Sequence, residues 1–461
     1  MTPQRLDPAP LVGFISLGCP KNQVDCELMI SRAADTGFQI TTDIARAQAL
    51  VVNTCAFIEP AQSEADEAIR EALEYKERGT CRAVIVAGCL PQYLQERCRQ
   101  AYPAVDAWLT PDNPHQLGEI LTGLLVADPP LVADPRFPLP EYLATAADGR
   151  VLSTPPSLAY LKIAEGCDHR CRFCLIPGLR GRYRSRAQDD LQAEAVALAE
   201  MGISEIALVS QDSSYYGRDL GNTTLAELLT GLVEQDGDCW VRVMYLYPDH
   251  ITPELLETWA RLAGRTTGPR LLPYFDIPVQ HVSAPLLKAM GRRGDRQSID
   301  ALFRRVRSAC PDAVIRSSLI VGYPGETDDQ FNELFDWVQS GKVDRLGVFT
   351  YSDLPEMKSH QLPDHVPPEI AAQRQDLLLE AQYDVALELN TALVGSEVEI
   401  LLEEEIDSNG AEYVYLGRGW REAFEIDGLA EVRSPRPLEL FSRVRARALS
   451  ADAYDLYTEI R

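Results

Sequence analysis

Three short apolar runs near the N-terminus, Leu11 to Leu17, Ala49 to Val52 and Ala83 to Val86, alternate with helical patterns, and a cysteine follows each of them. Strands separated by helices form a parallel sheet, and open parallel sheets assemble their sites at the carboxyl ends of the strands. Cys19 in SLGCPKN, Cys55 in VVNTCAF and Cys89 in VAGCLPQ therefore reach one sheet edge from three separate elements. Free cysteine is often just a small buried hydrophobe, and Cys26, Cys81 and Cys98, which follow no pattern, are assigned to packing. Six further runs, Tyr160 to Ala164, Ile206 to Val209, Val241 to Leu246, Tyr274 to Val279, Val314 to Val321 and Leu346 to Tyr351, suit a β/α barrel. It is expected to be open, because closure in the usual way takes eight strands. From about Gly395 the pattern changes to SEVEILLEE, EYVYLG, EAFEIDG, LELFSRVRARAL and YDLYTEI. These predict a small five-stranded antiparallel β-barrel of OB-like kind. The fold class is thus α/β with an all-β C-terminal unit.

Punctuation sets the boundaries. Residues 127–157 hold seven prolines without helical or alternating pattern and read as a linker. It separates an N-terminal domain, 1–126, from a central one, 158–390. The amphipathic run Glu369 to Leu393 leads into the third unit, 391–461.

With 44 basic and 69 acidic residues the formal charge is −25, so the surface as a whole repels phosphate backbones and any nucleic-acid contact needs a local patch. The N-terminus has no apolar h-region, and no stretch approaches the roughly 18 apolar residues of a membrane span. The chain reads as cytoplasmic, with no membrane partner. Its 11 cysteines are then not a disulfide scaffold, and thiolate work on a metal or cluster leads.

Directly after the first barrel strand, EGCDHRCRFCLIP places Cys167, Cys171 and Cys174 in a CxxxCxxC loop. Three thiolates at this spacing can hold three irons of a 4Fe-4S cluster and leave the fourth open to an exchangeable ligand. Zinc would want a fourth protein ligand, and His169 inside the tight loop is the candidate.

These residues resemble the radical S-adenosylmethionine enzymes, in which the open iron is chelated by the methionine moiety and the sulfonium is cleaved reductively. The resemblance implies a 5′-deoxyadenosyl radical, chemistry a cofactor must bring. It would set Phe173 over the adenine, where the alternative is ordinary loop packing. Gln211, Asp212 and Ser213 after the second strand, Gln280 after the fourth, and Gly322 and Glu326 after the fifth would be cofactor contacts; turn and capping roles are their alternatives.

Three strand-end cysteines, then CxxxCxxC followed by IPGLRGRYRSR, then a small β-barrel, are together similar to the methylthiotransferases, whose barrel is the TRAM domain. SLGCPKN, NTCAFI, LVSQDSS, YLYPDHIT, YFDIPVQH and IVGYPGET resemble the RimO-type branch, which modifies an aspartate of small-subunit ribosomal protein twelve; other branches modify an adenosine in tRNA. The resemblance implies two 4Fe-4S clusters, an auxiliary one on Cys19, Cys55 and Cys89 and a radical-generating one on Cys167, Cys171 and Cys174. It also implies S-adenosyl-L-methionine as methyl donor and radical source, and an electron donor such as flavodoxin or ferredoxin.

Arg180, Arg182, Arg184 and Arg186 follow the cluster loop, and their spacing by two would align them on one side of an extended strand. They could clamp carboxylates of cofactor or substrate, or be a solvated face or inter-domain ion pairs. From Thr391 to Arg461 there are 15 acids, 8 bases and no lysine. A module gripping tRNA should be basic, whereas an acidic one complements basic ribosomal proteins. Trp420, Glu425 and Asp427 are the candidate contacts for such a partner. One departure from the family pattern follows Tyr351, where YSDLPEMKSHQL lacks the usual Gly-Thr. A tRNA methylthiotransferase and a non-catalytic iron-sulfur scaffold remain the alternatives.

Overall fold

The computed structural model describes residues 9–127, 136–235, 237–265, 270–408, 410 and 412–460. Its first unit is a parallel sheet with strand order Gln39–Thr41, Leu11–Ser16, Ala49–Thr54, Ala83–Gly88 and Ala107–Trp108. The three expected strands form the centre, and two short strands that carry no readable period flank them. Ala49–Thr54 and Ala83–Gly88 are buried along their whole length, which is why they read as continuous apolar runs. Helix Pro20–Asp35 begins directly after Cys19, with Pro20 in the first turn, where its missing N–H leaves nothing unpaired.

The second unit pairs Arg270–Leu271, Trp240–Val243, Glu205–Val209 and Leu158–Lys162 in one parallel sheet and Tyr274–Asp276, Val314–Val321 and Arg345–Thr350 in another. The Leu246 N–H donates to the Asp276 carbonyl at 2.8 Å, joining the two sheets into an open barrel. All six expected strands are present, and Arg270–Leu271 is additional. Helices Leu225–Val233, Pro253–Ala263, Arg296–Ala309 and Asp328–Gln339 pack outside, each started by a side chain that accepts a backbone N–H: Thr224, Thr252, Asp295 and Thr327. Trp259 and Trp337 are fully buried beneath them.

Part of the expected linker, residues 128–135, lies outside the described residues. The remainder is irregular yet well tied: Arg150 bridges Glu27 of the first unit, at 2.7 Å, and Glu194 of the second, at 2.8 Å. Helix Pro368–Thr391 packs on Asp328–Gln339 and Arg345–Thr350 before the chain enters the small barrel.

That barrel is closed in the order Glu397–Ser408, Tyr413–Gly419, Ala430–Ser434, Leu456–Glu459 and Arg443–Ala451. Two expectations are corrected. EAFEIDG is not a strand, because Glu422 and Asp427 turn away to pair with Arg345 and Tyr274 of the open barrel; Ala430–Ser434 takes its place. The pairing of Ala430–Ser434 with Leu456–Glu459 is parallel, the others antiparallel. Among the described residues no helix is long and apolar enough to cross a membrane.

Candidate active site

Each of the first three cysteines lies where a buried strand gives way to a loop or helix. Gly18 and Gly88, directly before Cys19 and Cys89, have φ near +92°, a backbone that L side chains rarely adopt. A Cβ on Gly18 would lie 2.7 Å from Cβ of Cys55, so the Cys19 and Cys55 loops touch. Asn22 ties them further, donating to the carbonyls of Leu17 at 2.6 Å and Thr54 at 3.3 Å. The Arg180 Nε–H donates to Cys89 Sγ at 3.2 Å from the second unit. Burial pushes the Cys89 thiol up to about 12 even beside that guanidinium. At Cys19 burial acts in the same direction, but Lys21 and Arg180 outweigh it and lower the thiol.

Gly166, at φ +82°, precedes Cys167, and an added Cβ would sit 2.1 Å from the Arg182 carbonyl oxygen. The loop is then held at its middle: the Arg172 N–H donates to the Met290 carbonyl at 2.9 Å, and the Arg172 carbonyl accepts from both N–H and Oγ–H of Ser359. Ser359 belongs to the divergent segment after Tyr351, so that segment carries a cluster-loop clamp of its own. It also reaches the first unit, where Glu356 accepts from Tyr93 at 2.6 Å and pairs with Arg97 at 3.1 Å. Burial raises the Cys167 thiol to about 12 and raises Cys174 as well.

The residues present fit an iron-sulfur cluster at each trio. Among the described residues neither trio draws all three sulfurs within 4.8 Å of one another, which a tetrahedral zinc site would do. His169 is engaged elsewhere: its Nε2–H donates to Asp212 at 2.7 Å and its ring stacks on Tyr247 with centroids 3.8 Å apart. Buried amide oxygens of Asn53 and Gln92 near the first trio, and of Gln211 near the second, lack a hydrogen-bond partner. Such acceptors need a donor from water or from a bound organic cofactor, since a cluster's sulfides offer none, so the fit to the clusters rests on the six thiols.

Of the other expected cofactor contacts, Phe173 is buried with Leu286, Met290 and Tyr323 beside Cys171 and Cys174. Gln211 donates to Glu165 at 2.8 Å. Asp212 is a hub for His169, His250 and Ser214; burial would raise its carboxyl, but the histidine hydrogen bonds hold it well below the usual range. Ser213 is wholly buried, its N–H on the Tyr245 carbonyl. Gln280 takes positive φ and bridges to Leu319. Gly322, at φ +76°, and Glu326 form a closed turn: Glu326 accepts from the Gly322 N–H, pairs with Arg374 at 2.9 Å and meets His281 at 3.3 Å. Both Glu326 oxygens are thus spent inside the protein, against the expectation of a cofactor contact.

The arginine run also departs from expectation. Helix Ile176–Arg180, a turn at Gly181 and a strand of only Arg184–Ser185 leave no extended segment on which the four could align. Arg180 is buried on Asp25, Glu165 and Asn22. Arg182 is exposed on Asp168 at 2.6 Å. Arg184 donates to backbone carbonyls, including those of Arg182 and Arg180, and Arg186 is buried on Asp190 and Glu194. Buried Arg180 and Arg186 are inter-domain and internal ion pairs, not an open carboxylate clamp. Likewise Asp427 is not an exposed acid: it accepts from Tyr274 at 2.6 Å. Trp420 and Phe424 pack beside Tyr245 over the interior of the open barrel, and Glu425 alone of the three named residues is exposed.

Sequence reasoning missed the network that joins the trios. Asp25 of the first unit lies between Lys162 and Arg180 of the second, and Lys162 also pairs with Glu165 at 2.8 Å. It missed Arg292, whose guanidinium lies 4.4 Å from the Tyr247 ring and 5.8 Å from that of Phe173, and Lys21, 3.5 Å above the Tyr245 ring. One signal was available: three of the loops carry a Gly-Cys pair at the end of an apolar run.

Comparison with known proteins agrees with this geometry. An uncharacterised family, UPF0004, matches residues 12–110, the radical SAM superfamily residues 161–338, and the TRAM domain residues 394–460. A solved structure of the radical S-adenosylmethionine methyltransferase TsrM from Kitasatospora setae superposes with TM-score 0.54 at 14% identity over 82% of this chain and 89% of that one, which shows the fold. The ribosomal protein uS12 methylthiotransferases RimO of Desulforamulus reducens and Sorangium cellulosum are 38% and 41% identical. They align over 98% and 97% of this chain and 99% and 90% of their own. With relatives of 38% and 41% identity aligned over nearly the whole chain, the chain belongs to the RimO family of radical S-adenosylmethionine methylthiotransferases.

Proposed function

We propose that this enzyme places a methylthio group on the β-carbon of an aspartate in small-subunit ribosomal protein uS12, using two 4Fe-4S clusters and S-adenosyl-L-methionine. The observation that carries this reading is the joining of two separate cysteine trios, from the carboxyl ends of two parallel sheets, by one buried ionic network through Arg180. A radical enzyme needs a single trio; a second, held rigidly against the first, fits a sulfur-bearing group that must meet the same carbon. When bound at Cys167, Cys171 and Cys174, the cluster and S-adenosylmethionine supply a 5′-deoxyadenosyl radical able to take hydrogen from an unactivated carbon.

The chain's own residues do the rest. Phe173 and Arg292 form a wall beside the loop, Gln211 offers an unpaired amide oxygen, and the His169–Asp212–His250 relay fixes the loop from beneath. Cys89 and Cys167 are buried and the other four cysteines are half-buried, which restricts the access of water and oxygen to the reacting centre. The acidic small barrel supports a basic protein partner over tRNA. A flavodoxin or ferredoxin is the proposed electron donor.

The test is an anaerobic assay of reconstituted enzyme with S-adenosylmethionine, sulfide and reductant, offering uS12 and unmodified tRNA side by side and reading products by mass spectrometry. Methylthiolated aspartate is the expected product; a methylthiolated adenosine would replace this reading with the tRNA one. Cys171→Ala should abolish cofactor cleavage, whereas Cys55→Ala should retain cleavage and lose transfer.

A further inference from the structure

Between Lys288 and Arg307, 20 residues hold seven basic and two acidic side chains, in a chain whose acids outnumber its bases by 69 to 44. The two acids are occupied elsewhere: Asp295 caps helix Arg296–Ala309 and Asp300 pairs with Lys342. Lys288, Arg293, Arg304 and Arg305 are exposed, and among the described residues none of them pairs with a carboxylate.

The turn that carries this charge is packed on the CxxxCxxC loop. Met290 accepts the Arg172 N–H at 2.9 Å, and a Cβ on Gly291 would lie 2.8 Å from the Arg170 carbonyl oxygen. Arg170 and Arg172, on either side of Cys171, are themselves exposed. Ser359 holds the Arg172 carbonyl, and its neighbour Lys358 is exposed without an acid partner among the described residues. Three segments thus bring positive charge round one loop. Beside it a cavity of about 350 Å³ is lined by Arg292, Arg293, Arg305 and Tyr247, with Asp249 its one acid among the described residues.

We propose that this patch docks an acidic flavodoxin-like carrier that delivers electrons to the group held by Cys167, Cys171 and Cys174. This rests on the functional reading above and adds the surface on which the reductant sits. One electron passes per encounter, oxidising the carrier's reduced flavin and reducing the group at the loop; no bond is made or broken in that step. Electron transfer needs the two redox groups close together, so a docking face has to border the loop, as this one does. Charge complementarity sets the partner's sign. RNA is the other polyanion, but the patch gives it no stacking platform: Phe173 and Phe303 are buried, and Tyr247 is stacked on His169. The acidic small barrel lies at the other end of the strands, where Arg270, which begins its strand, pairs with Glu399 at 2.6 Å. An acidic carrier and a basic substrate are therefore attracted to separate regions of the surface.

The experiment uses the full chain with both clusters reconstituted. Anisotropy of a dye-labelled flavodoxin measures binding to wild type and to the triple variant Lys288→Glu, Arg293→Glu, Lys358→Glu. A control variant, Arg436→Glu, Arg445→Glu, Arg447→Glu, reverses three exposed charges on the small barrel. At about 50 mM salt the patch variant should bind about tenfold or more weakly and the control within about twofold of wild type. Cleavage of S-adenosylmethionine driven by dithionite should match wild type in both, with equal iron per chain. Driven by reduced flavodoxin, the patch variant should show a raised KM for the carrier and regain the wild-type kcat at saturation. Wild type that fails to bind flavodoxin, or equal weakening in the two variants, overturns the proposal. Slower dithionite-driven cleavage in the patch variant also overturns it, since the charges would then act on the cysteine loop itself. Unchanged flavodoxin binding with lost binding of a labelled RNA duplex reassigns the patch to RNA. Wild type that binds flavodoxin and cleaves S-adenosylmethionine with it, yet never methylthiolates uS12, supports the docking face and overturns the functional reading.

Discussion

Asp25, Lys162, Glu165 and Arg180 bring two acids and two bases into a space closed to water, and each acid touches both bases. Such a set holds only while complete, because loss of one member leaves its partners charged and desolvated. Glu165 carries the clearest consequence for pH. Burial would raise its carboxyl, but Lys162, Arg180 and the Gln211 amide outweigh burial and lower it from 4.5 to about 2. The unfolded chain therefore binds the proton first on acidification. The stabilisation is fully present above about pH 4.5 and is lost as pH falls towards about 2, on the order of 3 kcal/mol in all. Urea unfolding of apoprotein at stepped pH should show this, and Glu165→Gln should be less stable at pH 7 with a shallower acid slope; an unchanged slope would remove Glu165 from the account. Only the option of inter-domain ion pairs for the arginine run was legible in the sequence; the partners were not, since Asp25 and Arg180 are 155 residues apart and neither sits in a motif that reports its partner.

Strands and loops show what a sequence does report. The long central strands were readable because both faces are buried, while Gln39–Thr41, Ala107–Trp108 and Arg270–Leu271, of two or three residues each, are too short to show a period. EAFEIDG alternates like a strand for another reason: Glu422 and Asp427 point to partners on a different unit. The cysteine loops were found by spacing, but their shape depends on the glycines before them. Gly166 and Gly79 both have φ near +80°, yet a Cβ at Gly166 meets the Arg182 carbonyl at 2.1 Å whereas at Gly79 nothing lies within 4 Å. Gly79→Ala should cost only the backbone strain, about 1 to 2 kcal/mol. Gly166→Ala must also displace the Cys167 loop, so reconstituted protein should lose the iron and visible absorbance of that cluster. Equal iron in the two variants would show that the loop tolerates the shift.

Across the whole molecule, the three units face one another through buried ions as much as through apolar surface. Glu205 at the barrel strand accepts both Arg242, at 2.6 Å, and Arg418 of the small barrel, at 2.9 Å, so the small barrel is oriented rigidly beside Tyr245 and Lys21. Its strand Glu397–Ser408 presents Glu404, Glu405 and Asp407 to solvent, and Glu425 is exposed as well. Acids fixed in this way steer a basic partner during approach and act on the association rate more than on the final complex. Stopped-flow association of enzyme and uS12 should therefore slow several-fold between about 50 and 300 mM salt as the Debye length shrinks. A variant with Glu404→Gln, Glu405→Gln, Asp407→Asn and Glu425→Gln should start slower and show a flatter salt dependence, with dissociation little changed. If the variant instead kept the wild-type slope, the steering charge would lie on the first two units, and the net of −25 rather than the small barrel would be what selects a basic substrate.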